Sequence, residues 1–160
     1  MVAVSILGLN WCQHAGWKVV LREAGRGRRL QVTLSPEEAV VVGHELAQRS
    51  SERSGLYLLV GALLREQPHL ASINLALAES NRARTALVVR ADESETAYPT
   101  SAADGIALAL RARLPIFADE LLLDAFGIDD DGDPALDADA GPGRSPIPQP
   151  FRRALGDQQS

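Results

Sequence analysis

The chain has 160 residues, 46% of them hydrophobic and 23% charged, which is about one compact domain of soluble composition. It has no apolar run of the roughly 18 residues a membrane span needs and no basic stretch ahead of its apolar N-terminus, which argues against a secretory signal. Its single cysteine, Cys12, excludes an intrachain disulfide framework, cannot make a zinc site alone and suits a reducing cytoplasm. The net charge of −5 is unevenly placed: residues 1–128 hold 13 basic and 14 acidic side chains, whereas the tail from Asp129 holds 3 and 7. A near-neutral domain with an acidic tail is a poor general nucleic-acid binder, because Lys and Arg supply most non-specific affinity for phosphate.

In chain order, residues 2–9 read as a strand. Trp17–Glu23 and Arg29–Leu34 are two further β-rich runs joined by Ala-Gly-Arg-Gly-Arg, a hairpin connection with glycines for positive φ. Arg22, Arg26, Arg28 and Arg29 gather there. They read either as a solvated tip or as a phosphate-facing patch, with Arg26, Arg28 and Arg29 as the candidate nucleic-acid contacts. Ser35-Pro36-Glu37-Glu38 predicts a helix start with a capping box and proline in the first turn, running to about Gln48. A second helix follows from about Glu52 to Glu66. It is apolar almost all round between Leu56 and Leu64, so it is expected to be buried or to lie in a subunit interface.

Alternation at Ile73, Leu75 and Leu77 predicts a strand with one buried face, and Thr85–Arg90 pairs with Glu95–Tyr98 across a turn at 92–94. Ser101-Ala102-Ala103-Asp104 is a second capping-box pattern, opening a helix to about Arg113. Pro115-Ile116-Phe117 is a short extended piece. Asp119 starts a last helix that Gly127 closes in the C′ position. The fold class this order predicts is α+β, a largely antiparallel sheet packed with about four helices, over residues 1–128. Residues 129–160, with five of the nine prolines, are expected to be a disordered, acidic tail.

Several chemistries are missing. The chain has no Walker loop, no nucleophile elbow and no zinc-protease helix. Its histidines, His14, His44 and His69, have no regular spacing, and Cys12-Gln13-His14 reads as an exposed loop ahead of a catalytic dyad. The run Asp129–Asp133 lacks the glycine and glutamate positions of a calcium loop.

One stretch does carry a resemblance. Gly105-Ile-Ala-Leu-Ala-Leu-Arg-Ala-Arg-Leu-Pro-Ile-Phe-Ala-Asp-Glu, continuing to Ile128, resembles the closing segment of the bifunctional nuclease family, an Asp-Ala-Ile-Ala-Leu-Ala-Leu-Arg helix, a Pro-Ile-Phe/Tyr strand and a Glu-containing helix. Val19–Glu23, Leu30–Leu34 and Ser35–Ala39 are similar to its first hairpin and helix start. The resemblance implies an α+β, dimer-forming domain whose relatives cleave DNA and RNA. The chain departs from the family where Thr-His-Asp-Leu is usual and Leu56-Tyr57-Leu58-Leu59 stands instead. It departs again where Ser101-Ala102-Ala103-Asp104 replaces Arg-Pro-Ser-Asp.

Carried over by position, Glu38, Asp104 and Glu120 are the candidate catalytic carboxylates, and Asp104, Glu120 and Asp124 the candidate ligands for Mg²⁺ or Mn²⁺. Each also has a simpler reading as a helix-capping or solvated acid. Glu120 and Asp124, one turn apart with like charge, call for solvent or a cation nearby. Two functions follow. One is a metal-dependent nuclease on DNA or RNA. The other is a catalytically degenerate module, a cytoplasmic homodimer that works by binding a protein partner, with Leu56, Leu58 and Leu59 filling the former site as core.

Overall fold

The computed structural model describes residues 1–48, 54–66, 71–79, 83–91 and 93–129. Apart from Asp129, the expected disordered tail lies outside the described residues. Strands β1 (Val2–Cys12), β2 (Gly16–Glu23) and β3 (Arg29–Leu34) form one antiparallel meander, and β4 (Ala71–Leu77), β5 (Ala83–Ala91) and β6 (Ser94–Thr100) form a second. The three-residue β7 (Ile116–Ala118) joins them, running antiparallel to β1 and parallel to β4. A two-residue β8 (Gly127–Ile128) pairs with β3 and completes an eight-stranded sheet of order β6-β5-β4-β7-β1-β2-β3-β8. With the helices α1 (Pro36–Leu46), α2 (Ser54–Arg65), α3 (Ala102–Ala112) and α4 (Glu120–Phe126), this is the expected α+β architecture.

The helices pack on one face of the sheet. Val4, Leu9, Val19, Leu21, Leu30, Val32, Leu34, Ile73, Leu75 and Ile116 point to that face and form one core with Ala39, Val42, Ile106, Leu122 and Leu123. Strand residues of the other parity form the open face. A bulge between Ile6 and Gly8 leaves Leu7 exposed and keeps Leu9 in the core register.

Local chemistry explains the helix boundaries. Ser35 and Glu38 make the full capping box at α1. Ser101 caps α3 by accepting from the Asp104 amide, but the reciprocal half of a box is not made there. Asp104 instead takes the hydroxyls of Ser101 and Tyr57. Asp119 caps α4. Gly127 departs from expectation, since its φ of −69° is extended and not left-handed. Glycine is required there because a Cβ would sit 2.2 Å from the Leu123 carbonyl oxygen. The left-handed C-terminal position is instead taken by Arg113 after α3, with φ 58°.

Helix α3 is the centre of the helical layer. Seven of its eleven residues are buried, most of them alanine or glycine, so neighbouring elements approach it closely. Glu45 on α1 is buried and accepts from Arg111 of α3 at 2.7 Å. Gly61 of α2 lies where a Cβ would be 3.4 Å from Ala112.

Gly105 sets the approach of α3 to the sheet, since a Cβ on it would stand 2.9 Å from Thr85 Cγ2 and 3.3 Å from methyls of Ile73 and Thr100. A glycine-to-alanine change inside a helix ordinarily gains about 0.5–1 kcal/mol. Here Gly105→Ala should instead lose about 1–3 kcal/mol through overpacking against a β-branched side chain with one stiff rotamer. Urea denaturation midpoints of the two proteins measure the sign.

Candidate functional site

The candidate carboxylates are not gathered at one point. Glu38 is spent on the α1 capping box, accepting from the Ser35 backbone N–H at 2.8 Å. Asp104 lies at the start of α3, on the helical side of the sheet, with one oxygen accepting from Tyr57 and the other from Ser101 at 2.8 Å. Glu120 and Asp124 lie one turn apart on α4, beside the β2–β3 connection.

There the cation that this like-charged pair calls for is Arg28. Its guanidinium is 7% exposed as a residue. It donates from Nε to Glu23 Oε2 at 2.7 Å, from Nη2 to Glu23 Oε1 at 3.2 Å and from Nη1 to Asp124 Oδ1 at 2.6 Å. Glu120 Oε1 stands 3.6 Å away. The two-pronged contact with Glu23 is the strong planar geometry of arginine and carboxylate. Hydrogen bonding from Arg28 holds the Glu23 carboxyl below the usual carboxylate range, and Glu23 with Asp124 pushes the Arg28 guanidinium further up. Arg26, more exposed, is 3.4 Å from Glu120.

Of the candidate nucleic-acid contacts, then, Arg28 is buried inside an ion-pair cluster and Arg26 is shared with Glu120. Arg29 is on the open sheet face, directly across from Arg22. The strand registers place further basic residues on that face. Lys18 and Arg22 on β2 join Arg29 on β3, and Arg84 and Arg90 lie on β5, two and four positions from the open-face Ala86. Among the described strand residues Glu95 is the one acidic group with that orientation, and it pairs with Arg90 at 2.7 Å. Ser5, Asn10, Gln31, Ser72, Asn74 and the ring of Phe117 share the face. Lys18, Arg84 and Arg90 lie outside the arginine group that the sequence offers as a phosphate-facing patch, and Arg22, within that group, joins them on this face. The signal is the alternation within β2, where Lys18 and Arg22 oppose the buried Val19, Leu21 and Glu23.

Helix α2 corrects another expectation. Leu56, Leu58 and Leu59 do not fill a former site as core but are 63%, 44% and 62% exposed, with Leu63 at 66%. The inward residue is Tyr57, 6% exposed, whose hydroxyl reaches Asp104. At the β1–β2 turn, His14 is exposed. Backbone hydrogen bonds at His14 and Ala15 pull the Cys12 thiol below its ordinary value, with no paired imidazole needed.

A divalent metal does not fit the carboxylates as placed. Glu120 and Asp124 face a guanidinium whose charge opposes a second cation. Among the described residues no three His, Cys, Asp or Glu side chains come together as ligands.

The geometry defines a single α+β domain with a basic sheet face and an arginine-centred acidic cluster behind it. The bifunctional nuclease domain model matches residues 19–131, most of the chain and every element from β2 to β8, and the chain belongs to that family. No curated protein matches it. Among the described residues no helix is long and apolar enough to cross a membrane.

The buried Glu23–Arg28 pair generates a pH prediction. A carboxyl held below its unfolded value stabilises the fold above that value, and the contribution is lost as pH falls through the lowered one. Arg28→Met should therefore lower the thermal midpoint clearly at pH 7, where it strands Glu23 as a buried charge. The gap between wild type and variant should close below about pH 4, as read from thermal melts across pH.

Proposed function

We propose that this member of the bifunctional nuclease family acts on DNA or RNA, binding the phosphate backbone on the open face of its sheet. Phosphodiester cleavage is the reaction we assign to it from its family. The observation that carries the reading is the segregation of charge: a chain of net charge −5 turns Lys18, Arg22, Arg29, Arg84 and Arg90 to one face, where Glu95 is the one acid among the described strand residues. Basic side chains there exchange condensed counterions for direct phosphate contacts. Asn10, Gln31 and Asn74 supply neutral donors and acceptors, and Phe117 offers a ring on which a base can stack. We infer a cytoplasmic setting, where the lone Cys12 stays reduced.

Asp104 and Glu120 are the carboxylates that the family likeness assigns to hydrolysis; Asp104 stands on the helical side of the sheet, so the open face binds the backbone and does not itself carry the cleaving group. Such a carboxylate would act as general base on the attacking water.

A second reading is a module of the same family that binds without cutting. It is favoured by the commitment of Glu38, Glu120 and Asp124 to partners within the chain, and by the position of Asp104 on the helical side of the sheet, away from the basic face. In that reading Leu56, Leu59 and Leu63, spaced as one ridge of α2, serve a homodimer or a protein partner.

A cleavage assay on single-stranded DNA and RNA, with Mg²⁺ or Mn²⁺ and with EDTA, separates the two. Cleavage that is lost in Asp104→Asn/Glu120→Gln supports the nuclease. Binding without cleavage in either protein supports the module. In both readings Lys18→Gln/Arg22→Gln should weaken binding and lower the slope of log affinity against log salt by about 2, roughly one per phosphate contact removed. An unchanged slope would remove the sheet face from the interface.

A further inference from the structure

The basic face has a second candidate occupant in this same chain. The eleven residues from Asp129 to Asp139, Asp-Asp-Asp-Gly-Asp-Pro-Ala-Leu-Asp-Ala-Asp, hold six aspartates and no basic residue. They begin where β8 ends, and β8 is paired with β3 so that Ile128 stands opposite Arg29. The segment therefore starts, at Asp129, from the arginine end of the sheet, where Arg22 and Arg29 are cross-strand partners.

We propose that the Asp129–Asp139 segment docks in cis on the open sheet face around Lys18, Arg22 and Arg29, as a carboxylate stand-in for a nucleic-acid backbone. The regulatory role of the docking rests on the nucleic-acid reading above. The docking itself rests only on charge and reach.

The reach is sufficient. Eleven extended residues span at most about 36–40 Å. Adjacent strands are about 4.8 Å apart, so β2, two strands from β8 in the sheet order, is roughly 10 Å away. Even β5, six strands from β8, lies within about 29 Å. Arg28 does not compete for the segment, since Glu23 and Asp124 already hold it. Tethering raises the effective concentration of the segment to the order of 1 mM. If its own Kd for the face is about 0.1 mM, a competing nucleic acid is held back about tenfold.

The test uses the full chain and a full-length variant with Asp129, Asp130, Asp131, Asp133, Asp137 and Asp139 all changed to asparagine. Backbone amide NMR, without nucleic acid, should show shifts between the two proteins at Lys18, Arg22 and Arg29, collapsing in about 1 M salt where charges are screened beyond roughly 3 Å. No shift on those strands overturns the docking whatever the DNA result. A labelled single-stranded DNA oligomer should then bind the variant about tenfold more tightly than the wild type. A synthetic peptide of residues 129–139 should compete with it for the variant. Equal DNA affinity of the two proteins overturns the regulatory role. Amide shifts with no DNA binding by either protein leave the docking standing and reject the nucleic-acid reading instead.

Discussion

The closeness of helix α3 to the sheet is the constraint on which the rest of the packing depends. A helix that bears Ala103, Gly105, Ala107, Ala109 and Ala112 on its buried surface has little side-chain volume to hold neighbours off. The sheet, α1 and α2 can then all close around one helix. Gly105 meets the methyls of Thr85, Ile73 and Thr100, and Gly61 of α2 meets Ala112. Larger residues at these points would push the layers apart and thin the contacts of Ile106 and Val42 with the strands. The start of α3 also fixes Asp104, which accepts from the hydroxyl of the buried Tyr57 on α2.

The acidic side chains of α4 illustrate how a buried arginine decides what a site can hold. Glu120 and Asp124 would repel each other on an isolated helix. Arg28 turns that repulsion into a tie between the β2–β3 connection and the last helix, and Glu23 holds the guanidinium in place from the strand side. Carboxylates in such a cluster are poorly suited to a divalent ion, because the ion would have to displace or face a fixed cation. The open face carries positive side chains spaced over several strands, with Glu95 the one acid among its described strand residues.

Features set by neighbouring residues were legible in the sequence. Ser35, Ser101 and Asp119 each cap a helix at the position their local pattern indicates, and the β5–β6 hairpin follows from the turn between its strands. The family was legible as well, because its closing helix-strand-helix segment is compact and runs continuously from Gly105 to Ile128. Features that depend on distant partners were not. The involvement of Arg28 with Asp124 joins residues on separate elements, so Arg28 looked like one more solvent-facing arginine. Tyr57 sits in a run of leucines, and only the orientation of α2 decides that the tyrosine turns inward while Leu56 and Leu59 turn out. Lys18 and Arg22 could be assigned to the open face only once Val19 and Leu21 were placed in the core, since Val20 between them is buried as well.

Strand β7 has a consequence for the order in which the molecule can form. The β1–β2–β3 and β4–β5–β6 meanders are each built from neighbouring segments, so their pairing closes short loops and is available early. Their union is not. The free edge of β1 must await Ile116–Ala118, on the order of 100 residues further along, and β4 needs the same three residues on its other side. A ribosome delivering this chain from the N-terminus therefore exposes two partial sheets, each with an unsatisfied edge, until nearly the whole domain has emerged. Only then does a segment of three residues, followed at once by α4, unite them. The interval before that closure is when the chain is most open to pairing with the wrong strand.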